Sequence, residues 1–198
     1  MNTKTLKSSR ARENRKKIFE TAVGQFNQHG YDGVTMDDIA VAAGVARSSV
    51  FNHYPSKFDV LKEFFEKFTF GIIAEAKDSK SRRFKGRMKA FFTAAGKAAP
   101  PHKIILAEIA AQAIGHGPMA AVESQVDQHL MGFILDAVSC GQSAGDLRAE
   151  IDKHFLANLI LALVTVTLHD WINGVTKKRL EHELQARFEI LLMGASTR

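Results

Sequence analysis

Apolar residues recur at intervals of three and four along most of the 198-residue chain, and nowhere do they alternate with the two-residue period of a strand. The pattern predicts an all-α protein. A first helix over about 11–29 carries Ile18, Phe19, Ala22, Val23 and Phe26 on one face and stops at Gly30. Met36, Ile39, Ala40 and Ala43 mark a second helix, Arg47 to Tyr54 a third. After Pro55-Ser56, a longer helix with Phe58, Leu61, Phe64, Phe65, Phe68 and Ile72 is expected to run to about Asp78. Lys77 to Lys89, basic and holding Ser79, Ser81 and Gly86, reads as a loop. The helical pattern then returns with Met88, Phe91, Phe92 and Ala95 and ends at Pro100-Pro101. Ile104–Ile114 follows, closed by the Gly115-His116-Gly117-Pro118 break. Helices over about 119–140, 152–175 and 180–193 complete the chain.

Thr35 and Asp38 have the spacing of a capping box at the start of the second helix. Gly44 supplies the left-handed residue that ends it, and Val45 fills the corner before the third. Ser56 and Asp59 repeat the capping form ahead of the fourth. In the third helix Val50 and Tyr54 face the core and leave Arg47, Ser48, Ser49, Asn52 and His53 outward, a face with no acid on it. Such a face suits base edges and phosphates. An ordinary αα-hairpin with a solvated polar face has the same pattern, so both readings stand at this level.

Charge sharpens the picture. The chain has a formal net charge of +6, and Lys4, Lys7, Arg10, Arg12, Arg15, Lys16 and Lys17 face the single acid Glu13 between them. This basic arm lies just ahead of the hairpin and favours phosphate contacts, although a solubilising tail has the same composition. One cysteine, Cys140, excludes an intramolecular disulfide and suits a reducing cytosol. No apolar stretch follows the basic N-terminus as in a signal peptide. The longest uncharged run, Phe155 to Leu168, falls short of the roughly 20 residues a membrane span needs. A cytoplasmic protein without membrane contact is expected.

Residues 15 to 65, from RKKIFETAVGQFNQHGYDGVTMDDIAVAAGV to FNHYPSKFDVLKEFF, resemble the N-terminal DNA-binding domain of the TetR family of transcriptional regulators. The helix ending in HGY, the IAVAAGV turn and the HYPSK run carry the resemblance; AGDLR at 144–148 and the helix with Trp171 look like the family's late helices. The resemblance implies an N-terminal helix-turn-helix domain and a helical ligand-binding and dimerisation domain, with a homodimer reading double-stranded DNA at a palindromic operator. The organisation expected is a basic arm over 1–14, the DNA-binding domain over 15–60, a connecting helix over 61–80 and the second domain over 81–198. By position, the resemblance assigns groove contacts to Arg47, Ser48 and Asn52, and phosphate contacts to Thr35, Ser49, His53, Tyr54 and Lys57. Two positions depart from the family's habit. Ala46 stands where a serine or threonine often caps the reading helix, and Phe51 stands where tyrosine is frequent.

In the last two helices apolar residues exceed what one face needs: Phe155, Leu156, Leu159, Ile160, Leu163, Val164, Val166, Leu168 and Trp171, then Leu180, Leu184, Phe188, Leu191 and Leu192. An intersubunit four-helix bundle accounts for this, as does burial in a larger monomer; two-fold operator reading favours the dimer. The middle helices are expected to enclose a cavity lined by Phe64, Phe68, Phe92, Ile105, Ile109, Met131, Phe133 and Leu161. Its candidate polar anchors are Glu108, Gln112, Asp127, His129, Asp136 and Asn158, and a lining of this kind favours a hydrophobic or amphipathic effector. No cofactor is implied. His102, Glu108, His116, Asp127 and His129 lack the spacing of a zinc site, and no phosphate loop or nucleophile elbow is present, so an enzyme is not expected. Three readings remain: a ligand-released repressor, a DNA-binding protein whose second domain takes a protein partner, and a helical enzyme that has lost DNA binding. The basic arm and the HYPSK run oppose the third.

Overall fold

Thr35 and Asp38 close their capping box reciprocally. The Asp38 amide donates to Thr35 Oγ1 at 3.1 Å, and the Thr35 amide to Asp38 Oδ2 at 2.9 Å. The Thr35 hydroxyl, which also donates to Asp38 Oδ2, and then the Thr35 amide hold the Asp38 carboxyl below the usual carboxylate range. The helix they start, α2 (Met36–Ala43), ends at Gly44 with φ 60° and ψ 41°. There the Gly44 amide donates to Val41 O at 3.0 Å and the Val45 amide to Ala40 O at 3.1 Å. This paired closure needs a residue at positive φ, which glycine adopts without a Cβ clash. α2 is preceded by α1 (Thr3–His29) and followed by α3 (Arg47–His53). The computed structural model describes residues 3–79, 81, 83–114 and 117–195, with side chains in α1 from residue 9 onward.

The chain forms two compact units, Met1–Phe65 and Glu66–Arg198, divided within α4 (Lys57–Lys77). In the first unit, Ile18, Ala22 and Phe26 of α1 close over Ile39 and Ala43 of α2, Val50 of α3 and Leu61 of α4, all fully buried. Phe26 and Tyr31 pack ring to ring, 5.2 Å between centroids. The basic stretch does not precede the first helix, because α1 begins at Thr3 instead of near residue 11. Lysine and arginine are good helix formers, and nothing between 3 and 11 breaks a helix.

The second unit holds the rest of α4 with α5 (Phe84–Ala98), a 3-10 turn (Pro100–His102), α6 (Lys103–Ala113), α7 (Pro118–Ser143), α8 (Lys153–Ile172) and α9 (Leu180–Ala195). The loop expected over 77–89 is much shorter. α4 keeps Lys77, and α5 starts at Phe84 because Phe84, Met88 and Phe91 form one buried stripe. Lys80 and Arg82 of that loop, and Gly115-His116 of the later break, lie outside the described residues.

A chain of rings joins α5, α7 and α9: Phe84 to Phe188 at 5.5 Å, Phe188 to Phe92 at 5.1 Å, Phe92 to Phe91 at 6.0 Å, and Phe91 to Phe133 at 5.6 Å. α5 and α9 meet so closely that a Cβ on Gly96 would lie 2.6 Å from the Glu181 Cβ and 3.1 Å from its amide nitrogen. The AGDLR loop folds onto the end of α9, with the Arg148 amide donating to Ala195 O at 3.0 Å. α8 starts at the Asp152 cap, which accepts from the Phe155 amide at 2.8 Å.

By length and composition α8 is long and apolar enough to cross a membrane, because Lys153 and Asp170 are wound into the same helix as the shorter uncharged run. In this fold it packs through Leu156, Ala157, Ile160 and Val164. It leaves Phe155, Leu159 and Val166 exposed at 60, 42 and 53%, and α9 leaves Ile190 and Met193 exposed at 69 and 83%.

Candidate nucleic-acid interface

α3 presents Arg47, Ser48 and Asn52 as exposed side chains, with Ser49 and His53 half-buried beside them. Val50 is the residue that anchors this helix in the core. Its N-cap, Ala46, makes no side-chain hydrogen bond, as the missing hydroxyl dictates. Phe51 is 39% exposed, and the Arg47 guanidinium lies 5.5 Å from its ring centre.

The face is not free of acid. Asp37, on the exposed side of α2, places Oδ1 2.8 Å from Arg47 Nε. A reading of α3 alone cannot find this pair, because its partner comes from the neighbouring helix. Both members are more than half exposed, so the pair stabilises the unit by less than about 1 kcal/mol and can open to another acceptor.

Three residues assigned to phosphate contacts make bonds within the protein. Tyr54 is buried, and its hydroxyl donates to Glu63 Oε2 at 3.0 Å. Burial, then the charge and hydrogen bond of Glu63, push the Tyr54 phenol far above its ordinary value. Tyr54 is therefore a core residue and not part of the outward face. Thr35 gives its hydroxyl proton to Asp38 Oδ2 at 2.6 Å. Lys57 donates to Tyr31 O at 2.7 Å, with its Nζ 4.4 Å from the Tyr31 ring centre. It stands in the first turn of α4, after the Ser56–Asp59 capping pair, whose amide-to-carboxylate bond is 2.9 Å.

The proposed effector residues do not share one cavity, although Asp127, Met131 and Leu161 line a trough together. Phe64 is buried in the first unit. In the second unit Phe92, Ile105, Ile109 and Phe133 are buried, the first and last within the ring chain. Glu108 accepts from Gln112 at 2.7 Å one turn along α6. Asn158 is exposed and donates to His154 O of its own helix at 2.9 Å.

Of these candidates, Phe68 lines a cleft of about 400 Å³ with Gly71, Ile72, Glu75, Lys97, Ala98, Pro101 and His102. Phe68 and His102 meet edge to face at 6.3 Å, and burial holds the His102 imidazole below its ordinary value. Leu161 lines a second, open trough of about 500 Å³ along α7, with Glu123, Asp127, Met131 and Leu135 among its walls. The apolar periodicity that suggested a common lining marks core positions and cavity positions alike. Among the described residues, no group of three or more His, Cys, Asp or Glu is gathered as a metal ion would need.

Residues 18–64 match the sequence model of bacterial regulatory proteins of the tetR family. Over 53 residues the chain is 40% identical to an Escherichia coli K12 protein described as "Probable acrEF/envCD operon repressor". That alignment covers 27% of this chain and 24% of the relative, so the chain spans about a quarter of the length of the curated protein it matches. Similarity of fold extends much further. The TetR-family repressor FadR of Thermus thermophilus, solved with lauroyl-CoA, superposes with a TM-score of 0.71 at 22% identity, over 93% of this chain and 96% of its own. A Saccharomonospora viridis protein solved with choline superposes with a TM-score of 0.76 at 20% identity, over 94% and 99%. Residues 18–64 thus match the tetR-family helix-turn-helix in sequence, and nearly the whole chain shares its fold with a solved TetR-family repressor.

Proposed function

We propose that the protein is a DNA-binding transcriptional repressor that works as a homodimer on a palindromic operator and is released by a small hydrophobic or amphipathic molecule. The observation that carries this reading is the outward face of α3, where Arg47, Ser48 and Asn52 stand exposed on a helix seated by Val50. Arg47 is the residue for a guanine edge, Asn52 for an adenine edge, and Ser48 for either. Ser49, His53 and Lys57, with the amide groups at the start of α4, take the flanking phosphates. Repression is the reading supported by the relatives named as repressors.

The dimer rests on the exposed stripe of Phe155, Leu159 and Val166 on α8 and on Ile190 and Met193 of α9. A second copy covering it gives the four-helix arrangement that spaces two reading helices on one operator. An effector in the second unit is supported by the lauroyl-CoA and choline found in proteins of the same fold. The cleft at Phe68 and His102 offers an apolar wall with Lys97 and Glu75 at its edge, which suits an amphipathic molecule.

Selection of bound sequences from a random duplex pool by the purified protein, repeated at two salt concentrations, tests the reading. A palindromic consensus with steep salt dependence is the expected result. Absence of enrichment at both concentrations would overturn it.

A further inference from the structure

Arg15 belongs by sequence to the basic stretch of α1, but its surroundings set it apart from a phosphate ligand. Its Nη1 donates to the main-chain carbonyl of His53 at 3.0 Å. Its Nη2 donates to Glu63 Oε2, the same oxygen that accepts the Tyr54 hydroxyl. The guanidinium carbon lies 4.5 Å from the centre of the Tyr54 ring. One carboxylate oxygen thus gathers α1, α4 and the residue that follows α3, and the Glu63 side chain is only 17% exposed.

α3 needs support of this kind. It has seven residues, no side-chain cap at Ala46 and one buried residue, Val50. A helix that short does not hold itself in water, and its last carbonyls have no partner within the helix. His53 is its final residue, and Arg15 takes that carbonyl.

We propose that Arg15, Glu63 and Tyr54 form a strut that fixes the C-terminal end of α3, which makes Arg15 a positioning residue for base reading and not a phosphate contact. The proposal rests on α3 being the reading helix. The strut itself can be tested with or without DNA.

Electrostatics and geometry predict opposite signs for one substitution. Loss of a negative charge near a DNA-binding face by itself strengthens binding to every sequence. Loss of the strut loosens α3 and weakens binding to the right sequence. In the full chain, Glu63→Gln is therefore expected to lower affinity for the selected consensus about tenfold and to leave affinity for a scrambled duplex equal or slightly higher. Arg15→Ala is expected to lose specific affinity with an unchanged salt slope, whereas a phosphate ligand takes about one unit of slope with it.

Two readouts need no operator. Amide exchange over 47–54 is expected to quicken in both variants. The chain has two tyrosines, so the absorbance titration of phenolate resolves Tyr54 as the more resistant one. Glu63→Gln is expected to make it ionise more easily and Arg15→Ala less easily, because the two charges act on it with opposite sign. Tyr54→Phe keeps the ring and removes one bond, and carries the same affinity and exchange test if Glu63→Gln melts too low to assay. Should the wild type select no DNA, the repressor reading fails while exchange and titration still decide the strut. Unchanged exchange over 47–54 together with a slope reduced by one in Arg15→Ala would overturn the strut.

Discussion

Asp37 on α2 holds Arg47 on α3 by a 2.8 Å bond from Nε to Oδ1, so the side chain proposed to read a base is already paired within the protein. On that proposal, reading a guanine means exchanging that carboxylate for the base. Arg47→Ala is expected to weaken specific binding by about 1–3 kcal/mol, and Asp37→Asn to strengthen binding to all sequences by less than about 1 kcal/mol. Fluorescence anisotropy with the selected and a scrambled duplex checks both. Equal specific affinity in Arg47→Ala removes α3 as the reader.

The Thr35–Asp38 box is expected to support the hairpin as a unit. Thr35→Ala should cost about 1 kcal/mol of stability, seen as a lower midpoint in denaturant with an unchanged slope. Asp38 is depressed when folded, so its contribution is present above the ordinary carboxylate range and is lost as pH falls through its lowered value. The difference between wild type and Thr35→Ala should accordingly shrink in acid.

The parts of this fold that were legible in the sequence are those set by local chemistry. Thr35 with Asp38, Gly44 and Ser56 with Asp59 each specify a helix end from within four or five residues, and each is where the spacing puts it. What stayed hidden depends on residues distant in sequence. Asp37 reaches Arg47 across the hairpin, and Glu63 bonds the Tyr54 hydroxyl and the Arg15 guanidinium across 9 and 48 positions. The effector residues were least legible, because an apolar stripe records only that a face is covered, whether by a neighbour or by a ligand. Phe92 and Phe133 are covered by rings, and Phe68 borders open space.

Asp127 makes the stability of the second unit depend on pH in the reverse sense. Burial, helped by the charge of Glu123, pushes its carboxyl up to about 6. A raised acid costs stability while it is ionised, and the cost disappears as pH falls from about 6 through the ordinary carboxyl value of 3.8. Asp127→Asn is expected to raise the melting temperature at about pH 8 and to leave it unchanged at about pH 4. After discounting for its part exposure, the gain is on the order of 1 kcal/mol. Thermal melts of the two proteins at both pH values check it.

Leu159 and Met193 are exposed apolar positions on α8 and α9, so charging them should leave the fold of one subunit intact. If they face a second copy, each fully covered side chain stabilises the pair by roughly 1.5–3 kcal/mol. Leu159→Glu with Met193→Glu is expected to halve the mass seen by light scattering. An unchanged dimer mass places the interface elsewhere.

The contact between Gly96 and Glu181 leaves no room for a methyl group, and its nearest neighbours include main-chain atoms that cannot swing aside. Gly96→Ala would push α5 and α9 apart at a cost of about 1–3 kcal/mol in the second unit, whereas α3 belongs to the first. If the protein is the repressor proposed above, that is the recipe for a heat-sensitive allele: it would hold its promoter in the cold and let go when the culture is warmed, with no inducer added.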